Sequence, residues 1–304
     1  MSDLLWPGDH RAGELFTDAR FVAAMVRVEA AWLAALHGQG IAQTENDLHD
    51  LVGEGDLPAL ARAAEDGGNP VIPLLALLRD RLAEAELPIQ LGGAAGSLAA
   101  PTAIAGSPQM AAELVAATAA ALGLAASEPW HTSRTPVARV GDALVSCTDA
   151  WGRIANDVLA GARPEVHELA ESPVEGRGGS SAMPNKRNPV LAVLLRRAAL
   201  AGPPLAATLH AAAANAVDER PDGSWHVEWP TLRTLARHTV AAGSQAAELL
   251  AGLRVDTGRM AGNLAAARPD IDAEQRKYGA DGPYLGATDR IVDAALARAG
   301  AKPC

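Results

Sequence analysis

The amino-acid sequence predicts an all-α protein, built as a bundle of long helices. Of its 304 residues 49% are hydrophobic but only 3% are aromatic, and alanine is the commonest residue. Alanine loses no side-chain entropy in a helix and lets helices approach closely, whereas a β-sandwich needs many more aromatic and β-branched residues. Helix start and stop signals recur along the chain, and strand signals are scarce.

The first half of the chain contains four helix starts. A helix capped by Thr17 or Asp18 is predicted to run to about Leu36 and to end at Gly38, because its apolar residues recur at helical spacing. The other three starts share a polar residue followed by proline, which is typical of a helix N-terminus: Asn69-Pro70, Ser107-Pro108 and Thr135-Pro136.

The second half is predicted to contain three more helices. The first begins near Asn188-Pro189 and is kinked or interrupted at Gly202-Pro203-Pro204, because proline removes a helical hydrogen bond. The others span about Ser224 to Leu253 and Ala287 to Ala299. Two polar, glycine-rich stretches, 172–188 and 218–224, are predicted to be loops.

Charge and composition narrow the classes of partner. The net charge of −10 disfavours attraction to nucleic acid or to an anionic membrane, and charged residues interrupt the apolar runs, which argues against a membrane span. The two cysteines form no framework and the N-terminus has no signal-peptide pattern, so a cytoplasmic location is expected. The histidines show no metal-binding spacing, so neither a metal nor a cofactor is expected.

The segment 178–189, Gly-Gly-Ser-Ser-Ala-Met-Pro-Asn-Lys-Arg-Asn-Pro, is the most informative part of the chain; it is called the signature segment below. It combines two hydroxyl groups, two cations and glycines that expose backbone amides. A helix follows it, and the free N–H groups and dipole of a helix N-terminus attract a carboxylate or a phosphate. On these grounds alone it is either an anion-binding loop or an interhelical loop with solvated charges.

This segment resembles the fumarase/aspartase superfamily signature GSSxMPxKxNP at every fixed position. The resemblance implies a homotetramer of long helices, in which several subunits build each active site. It also implies addition or removal of a group β to a carboxylate through an enolate-like intermediate. Three helical regions would follow: an N-terminal domain (1–88), a central bundle (89–254) and a remnant of the C-terminal domain (255–304).

The resemblance also assigns roles to individual residues. Ser180 would be the catalytic proton donor or acceptor, activated by the positive field around it. The substrate, a small polycarboxylate, would be bound by Ser181, Lys186, Asn188, Arg220, His131 and Arg134. For Ser181, Lys186 and Asn188 the alternative role is to hold the loop.

Several other segments are similar to the 3-carboxy-cis,cis-muconate cycloisomerases, which close a tricarboxylate into a lactone in the protocatechuate (β-ketoadipate) branch of aromatic degradation. They are Asp9-His10-Arg11, 68–74, 90–96, 129–134, 225–232 and 284–287. Adenylosuccinate lyase shares the signature, but it usually carries glutamate and arginine where this chain has Val193 and Leu194. The cycloisomerase branch is therefore favoured, with an adenylosuccinate lyase-like activity as the alternative.

The chain also departs from the family. A Thr-Ser loop and a Gly-Arg-Thr-His segment that the family carries after the helix ending near Leu82 are absent, and a second stretch is missing between Leu264 and Tyr284. Either the sequence omits residues of a longer protein, or the deletions are genuine. In the second case the chain is a non-catalytic paralogue that keeps the helical scaffold.

Some of these side chains also have a structural interpretation. His131 and Arg134 bind substrate or satisfy backbone groups near a helix start. His226 and Glu228 would form either a proton relay or a structural hydrogen-bonded pair, and the flanking tryptophans favour the structural pair. The remaining aromatic residues considered are expected in the core or in subunit contacts: Trp151, Trp225 and Trp229.

Overall fold

A computed structural model describes residues 3–43, 47–82, 94–179, 183, 187–218, 221–279 and 285–300. The described residues form ten α-helices and one pair of two-residue strands. The helices are α1 (Asp18–Gly38), α2 (Leu57–Gly67), α3 (Val71–Leu82), α4 (Ala99–Ala105), α5 (Pro108–Ala121), α6 (Thr135–Gly161), α7 (Val190–Ala214), α8 (Ser224–Ala251), α9 (Thr257–Lys277) and α10 (Thr288–Arg298). The strands are β1 (Leu169–Ala170) and β2 (Arg254–Val255).

Local capping signals place three helix starts as predicted. The Thr17 hydroxyl accepts a hydrogen bond from the Arg20 amide at the start of α1, and Ser107 accepts one from Met110 at the start of α5. The Asn69 carboxamide oxygen accepts a hydrogen bond from the Val71 amide at 2.9 Å. A side-chain oxygen at these positions satisfies an amide that has no partner inside its helix.

Helices α6, α7 and α8 form the central bundle. A methyl group added at Gly152 of α6 would lie 2.3 Å from the Ala199 side chain of α7, and one added at Gly141 would lie 2.6 Å from Leu209. The start of α6 therefore lies beside the end of α7, and the two helices are antiparallel. Their small residues bring the backbones together around a core that includes Ala155, Val158, Leu191, Ala192, Leu195, Ala198, Ala242, Ala246 and Leu249.

The two prolines of α7 do not interrupt the helix, so of the predicted kink or interruption at 202–204 the interruption is wrong. The helix runs from Val190 to Ala214 through Pro203 and Pro204. Proline in a helix interior costs about 3 kcal/mol. Burial of leucines such as Leu195 and Leu209, each contributing about 2 kcal/mol, offsets that cost. By length and hydropathy alone α7 would also satisfy the criterion for a membrane span, but here it packs between α6 and α8.

Two other features differ from the predictions. Helix α6 begins at Thr135 and follows Arg134, so Thr135 is the first helical residue rather than the cap. The antiparallel pairing of Leu169 with Val255 and of Ala170 with Arg254 was not predicted, because a two-residue strand is too short to show an alternating pattern. This pairing fixes the C-terminal ends of α6 and α8 at the same end of the bundle.

Helices α2, α4 and α9 had no predicted counterpart. Helix α9 begins where the Asp256 carboxylate accepts a hydrogen bond from the Arg259 amide at 2.8 Å, yet α9 has no buried residue. Without a buried apolar face a helix has no hydrophobic periodicity by which to recognise it. The three-domain division remains a prediction.

Candidate active site

Those predicted site residues that the structure describes, His131, Arg134 and Asn188, lie at two ends of the central bundle. We call the first the histidine end; it comprises Gly68, Gly96, 129–134 and 225–229. We call the second the signature end; it comprises 171–179, 187–189 and Glu248. Helix α8 carries Glu228 at the histidine end and Glu248 at the signature end. These two residues are 20 positions apart, which corresponds to about 30 Å along the helix axis. A single chain therefore does not bring His131 and Arg134 together with Asn188.

His131 is held at the histidine end by its backbone and its ring. The Trp225 indole N–H donates a hydrogen bond to the His131 carbonyl at 3.2 Å, and the two rings meet edge to face with centroids 5.0 Å apart. Gly96 packs against the same residue: a methyl group added there would lie 3.0 Å from the His131 Cβ. Trp225 thus contacts His131 directly.

Arg134 forms a bidentate ion pair with Glu228. Its Nε donates to Glu228 Oε2 at 2.8 Å and its Nη2 donates to Oε1 at 2.5 Å, while Nη1 donates to the Trp130 carbonyl at 2.6 Å. The two side chains are only 15% and 5% exposed. Because Glu228 neutralises the guanidinium, this geometry supports positioning of 130–134 by Arg134, and its direct contact with substrate remains a prediction.

His226 joins the histidine end to the turn after α2. Its Nε2 donates a hydrogen bond to the Gly68 carbonyl at 2.7 Å, and its ring packs at 5.0 Å from that of Trp229. The expected pair between His226 and Glu228 is therefore wrong, because each residue has a different partner. Successive side chains of a helix point about 100° apart, so residues two apart face different neighbours.

At the signature end, Asn188 closes the loop back onto Gly178. The Asn188 backbone amide donates to the Gly178 carbonyl at 2.8 Å, and the side-chain Nδ2 donates to the same oxygen at 3.2 Å. Gly178 has a φ of +70°, which suits glycine. This clasp supports the loop-holding role predicted for Asn188. Ser180, Ser181, Lys186 and Arg220 lie outside the described residues.

The start of α7 is occupied by a carboxylate of the protein itself. Glu171 accepts hydrogen bonds from the Leu191 amide at 3.2 Å and from the Ala192 amide at 2.8 Å. A helix N-terminus attracts an anion, and here that anion is Glu171. The prediction that these amides are free to receive a substrate carboxylate is therefore wrong in this structure. The sequence pattern missed this cap because Glu171 lies 20 positions before Leu191.

Two arginines meet at Glu248, a residue that the sequence did not single out. Arg11 Nη2 donates to Glu248 Oε2 at 2.5 Å, and Arg177 Nη1 donates to Oε1 at 2.6 Å. The hydrogen bond from Arg11, followed by that from Arg177, lowers the pKa of Glu248 from its usual value. The one signal in the sequence that could have indicated this ion pair is Arg11, which lies in the family-like segment Asp9-His10-Arg11 and had been assigned no partner.

Comparison with known proteins agrees with this architecture. Residues 75–201 match the Lyase family model. The chain is 40% identical over 222 residues to a 3-carboxy-cis,cis-muconate cycloisomerase of Bradyrhizobium diazoefficiens, covering 72% of this chain and 48% of that protein. It is 51% identical over 183 residues to a nitrosuccinate lyase of Streptomyces davaonensis, covering 59% and 38%. The 3-carboxy-cis,cis-muconate lactonizing enzyme structure from Pseudomonas putida aligns with a TM-score of 0.71 at 24% identity, covering 95% and 82%.

The chain resembles proteins of the fumarase/aspartase superfamily in sequence.

The chain spans about half the length, or less, of the two curated relatives above, 48% of the cycloisomerase and 38% of the nitrosuccinate lyase. The fold is confirmed by the structural alignment, whereas the homotetramer remains a prediction. The order of the helices also explains why the two ends are separate. The stretch 187–189 leads into α7 beside the C-terminal ends of α6 and α8, whereas His131 precedes the start of α6.

The signature end borders a cavity of about 300 Å³. Its lining includes Glu171, Arg177, Arg187, Asn188 and Arg254. Within the part of the chain that the structure describes, no three His, Cys, Asp or Glu side chains are grouped as metal ligands would be. The metal-free, cofactor-free enzyme remains an expectation from the sequence.

Proposed function

We propose that this chain catalyses an enolate-forming reaction on a small polycarboxylate, and that the reaction is lactonisation of 3-carboxy-cis,cis-muconate. One substrate carboxylate would add to a carbon–carbon double bond, and the enzyme would protonate the neighbouring carbon, so that no atom is lost. The supporting observation is the signature segment, whose two described flanks are clasped together by Gly178 and Asn188. Positioning of the internal nucleophile and stabilisation of the enolate would supply most of the rate enhancement.

In this proposal Ser180 gives the proton, and Ser181, Lys186 and Arg220 bind carboxylates. Asn188, in contrast, would mainly hold the signature segment in place rather than bind substrate. Its backbone N–H and one hydrogen of Nδ2 are already directed at the Gly178 carbonyl, which leaves one hydrogen to donate. Its main role would therefore be to hold the segment, with at most one hydrogen bond to the substrate.

We further propose that the site is shared between copies of the chain in a homotetramer. The separation of about 30 Å between the two ends supports this, because one polycarboxylate cannot span it. A mixing experiment tests it: Ser180→Ala alters only the signature segment and His131→Asn only the histidine end. Mixed oligomers of these two inactive variants should recover activity, whereas a site built within one chain would give none.

A second candidate reaction is elimination from nitrosuccinate, favoured by the 51% identity to the nitrosuccinate lyase. A base would remove a proton from the carbon next to one carboxylate. The resulting enolate would break the carbon–nitrogen bond, releasing nitrite and leaving fumarate. The same proton-transfer and carboxylate-binding groups would serve both reactions, since both pass through a carboxylate-stabilised enolate.

One set of assays separates these reactions. The purified protein is incubated with 3-carboxy-cis,cis-muconate, nitrosuccinate or adenylosuccinate, following loss of muconate absorbance, nitrite release and fumarate formation, respectively. Turnover of the muconate alone supports our proposal, and turnover of another substrate transfers the assignment to that reaction. A folded protein that turns over none would be a scaffold paralogue. Comparing the mass of the natural protein with that of this 304-residue chain then shows whether segments are absent.

A further inference from the structure

Glu248 connects two segments that are far apart in the sequence. The Arg11 guanidinium contacts one of its carboxylate oxygens and the Arg177 guanidinium contacts the other. Arg11 also donates a hydrogen bond to the Ser244 hydroxyl at 3.1 Å, one helical turn before Glu248. The three charged side chains are 21% (Arg11), 36% (Glu248) and 25% (Arg177) exposed, so the network is partly shielded from water.

The segment that carries Arg11 is itself firmly attached to α8. Arg237 donates to both carboxylate oxygens of Asp9, at 3.1 and 2.7 Å, in a pair that is almost completely buried. The Trp6 ring stacks on His238 and lies under the Arg197 guanidinium, 3.6 Å from the ring centroid. Arg11 therefore approaches Glu248 from a fixed position and restricts the conformations available to its carboxylate.

On the other side, Arg177 directly precedes the clasp between Gly178 and Asn188. We call residues 175–179 and 187–189 the stem of the signature segment. A chain of contacts thus runs from the Asp9 turn through Arg11, Glu248 and Arg177 to the stem, and at Asn188 it reaches the start of α7. Side chains that are locked by a second layer of hydrogen bonds hold a functional group more accurately than side chains left free.

We propose that Glu248 is a positioning residue for the stem of the signature segment, and that Arg11 acts through it by fixing the orientation of its carboxylate. The effect on catalysis rests on the function proposed above, whereas the effect on the stem does not. A partly exposed ion pair contributes little to global stability. We therefore expect Glu248 to affect the position of the stem more than the free energy of unfolding.

Limited trypsin digestion tests the effect on the stem without any substrate. Trypsin cleaves after arginine, so Arg177 must leave Glu248 before the Arg177–Gly178 bond can be cut. When opening is fast, the cleavage rate follows the population of the open form. Glu248→Gln should therefore speed cleavage after Arg177 about five-fold, the effect of losing one favourable partly exposed ion pair. Arg11→Gln should give a smaller increase, about two-fold.

Two internal references make the digestion decisive. Glu274→Gln removes the carboxylate of an exposed pair with Lys277 and should leave cleavage after Arg177 unchanged. Cleavage after Arg139 in α6 reports opening of the whole bundle. If Glu248→Gln does not exceed the Glu274→Gln control, or speeds cleavage after Arg139 equally, the proposal is overturned. If Glu248→Gln speeds cleavage after Arg177 but Arg11→Gln cleaves no faster than the Glu274→Gln control, the role of Arg11 is overturned.

Kinetics then test whether the position of the stem matters for turnover. With whichever substrate the protein converts, Glu248→Gln should lower kcat about ten-fold with KM little changed, as expected for a misplaced reacting group. A raised KM at unchanged kcat would contradict a positioning role. If no substrate is converted, the proposed function fails, while the digestion result still decides whether Glu248 holds the stem.

Discussion

The histidine end and the signature end of the bundle are each stabilised by a different kind of ion pair. At the histidine end the pair between Arg134 and Glu228 is 15% and 5% exposed and is bidentate. At the signature end Glu248 is 36% exposed, and each of its two arginines contacts a single oxygen. Buried charges become very unfavourable when they lose a partner, whereas exposed pairs lose little.

This difference separates stability from positioning. Substitution of either partner of the Arg134–Glu228 pair should destabilise the protein, because it leaves a charge without compensation in the interior. Substitutions at the signature end should leave the fold in place and move the stem. The sequence gives no indication of this contrast, since both ends contain ordinary arginine and glutamate residues.

The largest effect is expected from Glu228→Ala. Removing one partner of a buried pair leaves Arg134 uncompensated, so the free energy of unfolding should fall by about 3 kcal/mol. Urea denaturation followed by circular dichroism measures it. The matched control is Asp142→Asn, which removes an exposed partner of His210 and should change stability by less than about 0.5 kcal/mol. Equal losses in both variants would contradict the contrast between buried and exposed pairs.

Glu29 provides a buried carboxylate with a different response to pH. Burial raises the pKa of Glu29 to about 7, and the nearby Arg79 only partly opposes this. The folded state therefore holds the proton more tightly than the unfolded state, in which the pKa is near 4.5. Stability contributed by the neutral form is present below about pH 4.5 and is lost as pH rises through about 7.

The test is to measure urea midpoints of the wild type and of Glu29→Gln at pH 5 and pH 8. Glu29→Gln cannot ionise, so at pH 8 it should be more stable than the wild type by on the order of 2 kcal/mol. At pH 5 the two proteins should be nearly equal. A difference that does not depend on pH would show that the glutamine changes packing rather than charge.

Local sequence signals predicted much of the fold. The caps at Thr17, Asn69 and Ser107 fixed helix starts within a residue, because a cap involves neighbouring groups only. The superfamily signature likewise predicted the loop before α7. The β1–β2 pairing was missed because its partners lie 86 residues apart, as Leu169 and Val255 show.

The candidate site was harder to predict, again because its contacts join residues that are far apart in the sequence. Glu171 at the start of α7 and Glu248 between two arginines are each defined by partners far away in the sequence. No local pattern distinguishes Glu248 from the other acidic residues of the helices. The separation of His131 from Asn188 also depends on how long helices are arranged, which only the three-dimensional structure gives.

A smaller effect on stability is expected from Asp9→Asn, because asparagine keeps a side-chain oxygen that can accept a hydrogen bond from Arg237. Hydrogen bonds from Arg237, opposed by burial, lower the pKa of Asp9. A lowered pKa gives stability that is present above the unfolded value of 3.8 and is lost as pH falls through the lower folded value. Arg237 would keep its bonds to the Gly13 and Leu15 carbonyls, so Asp9→Asn should cost about 1.5 kcal/mol at pH 7.

The measurement is again urea denaturation, repeated between pH 2 and pH 7. The difference between Asp9→Asn and the wild type should shrink towards acid pH. Its sign is opposite to that of Glu29→Gln, because Asp9→Asn should be less stable than the wild type at neutral pH. A difference that persists unchanged at pH 2 would mean that the asparagine disturbs the packing of the turn and that the ion pair contributes nothing.

The smallest effect on global stability is expected at the clasp, where two glycines form a matched pair. Gly176 and Gly178 have φ values of +78° and +70°, so alanine is strained by about 1 kcal/mol at either position. Only at Gly178 would the added methyl group also collide, at 2.5 Å from the Asn188 carbonyl oxygen, while Gly176 faces open space. Gly178→Ala should therefore lower kcat much more than Gly176→Ala, and it should speed trypsin cleavage after Arg187 much more. The urea midpoints of the two variants should be nearly equal. Equal kcat values in the two variants would show that backbone strain alone matters at the stem, and that the close approach of Gly178 to Asn188 does not.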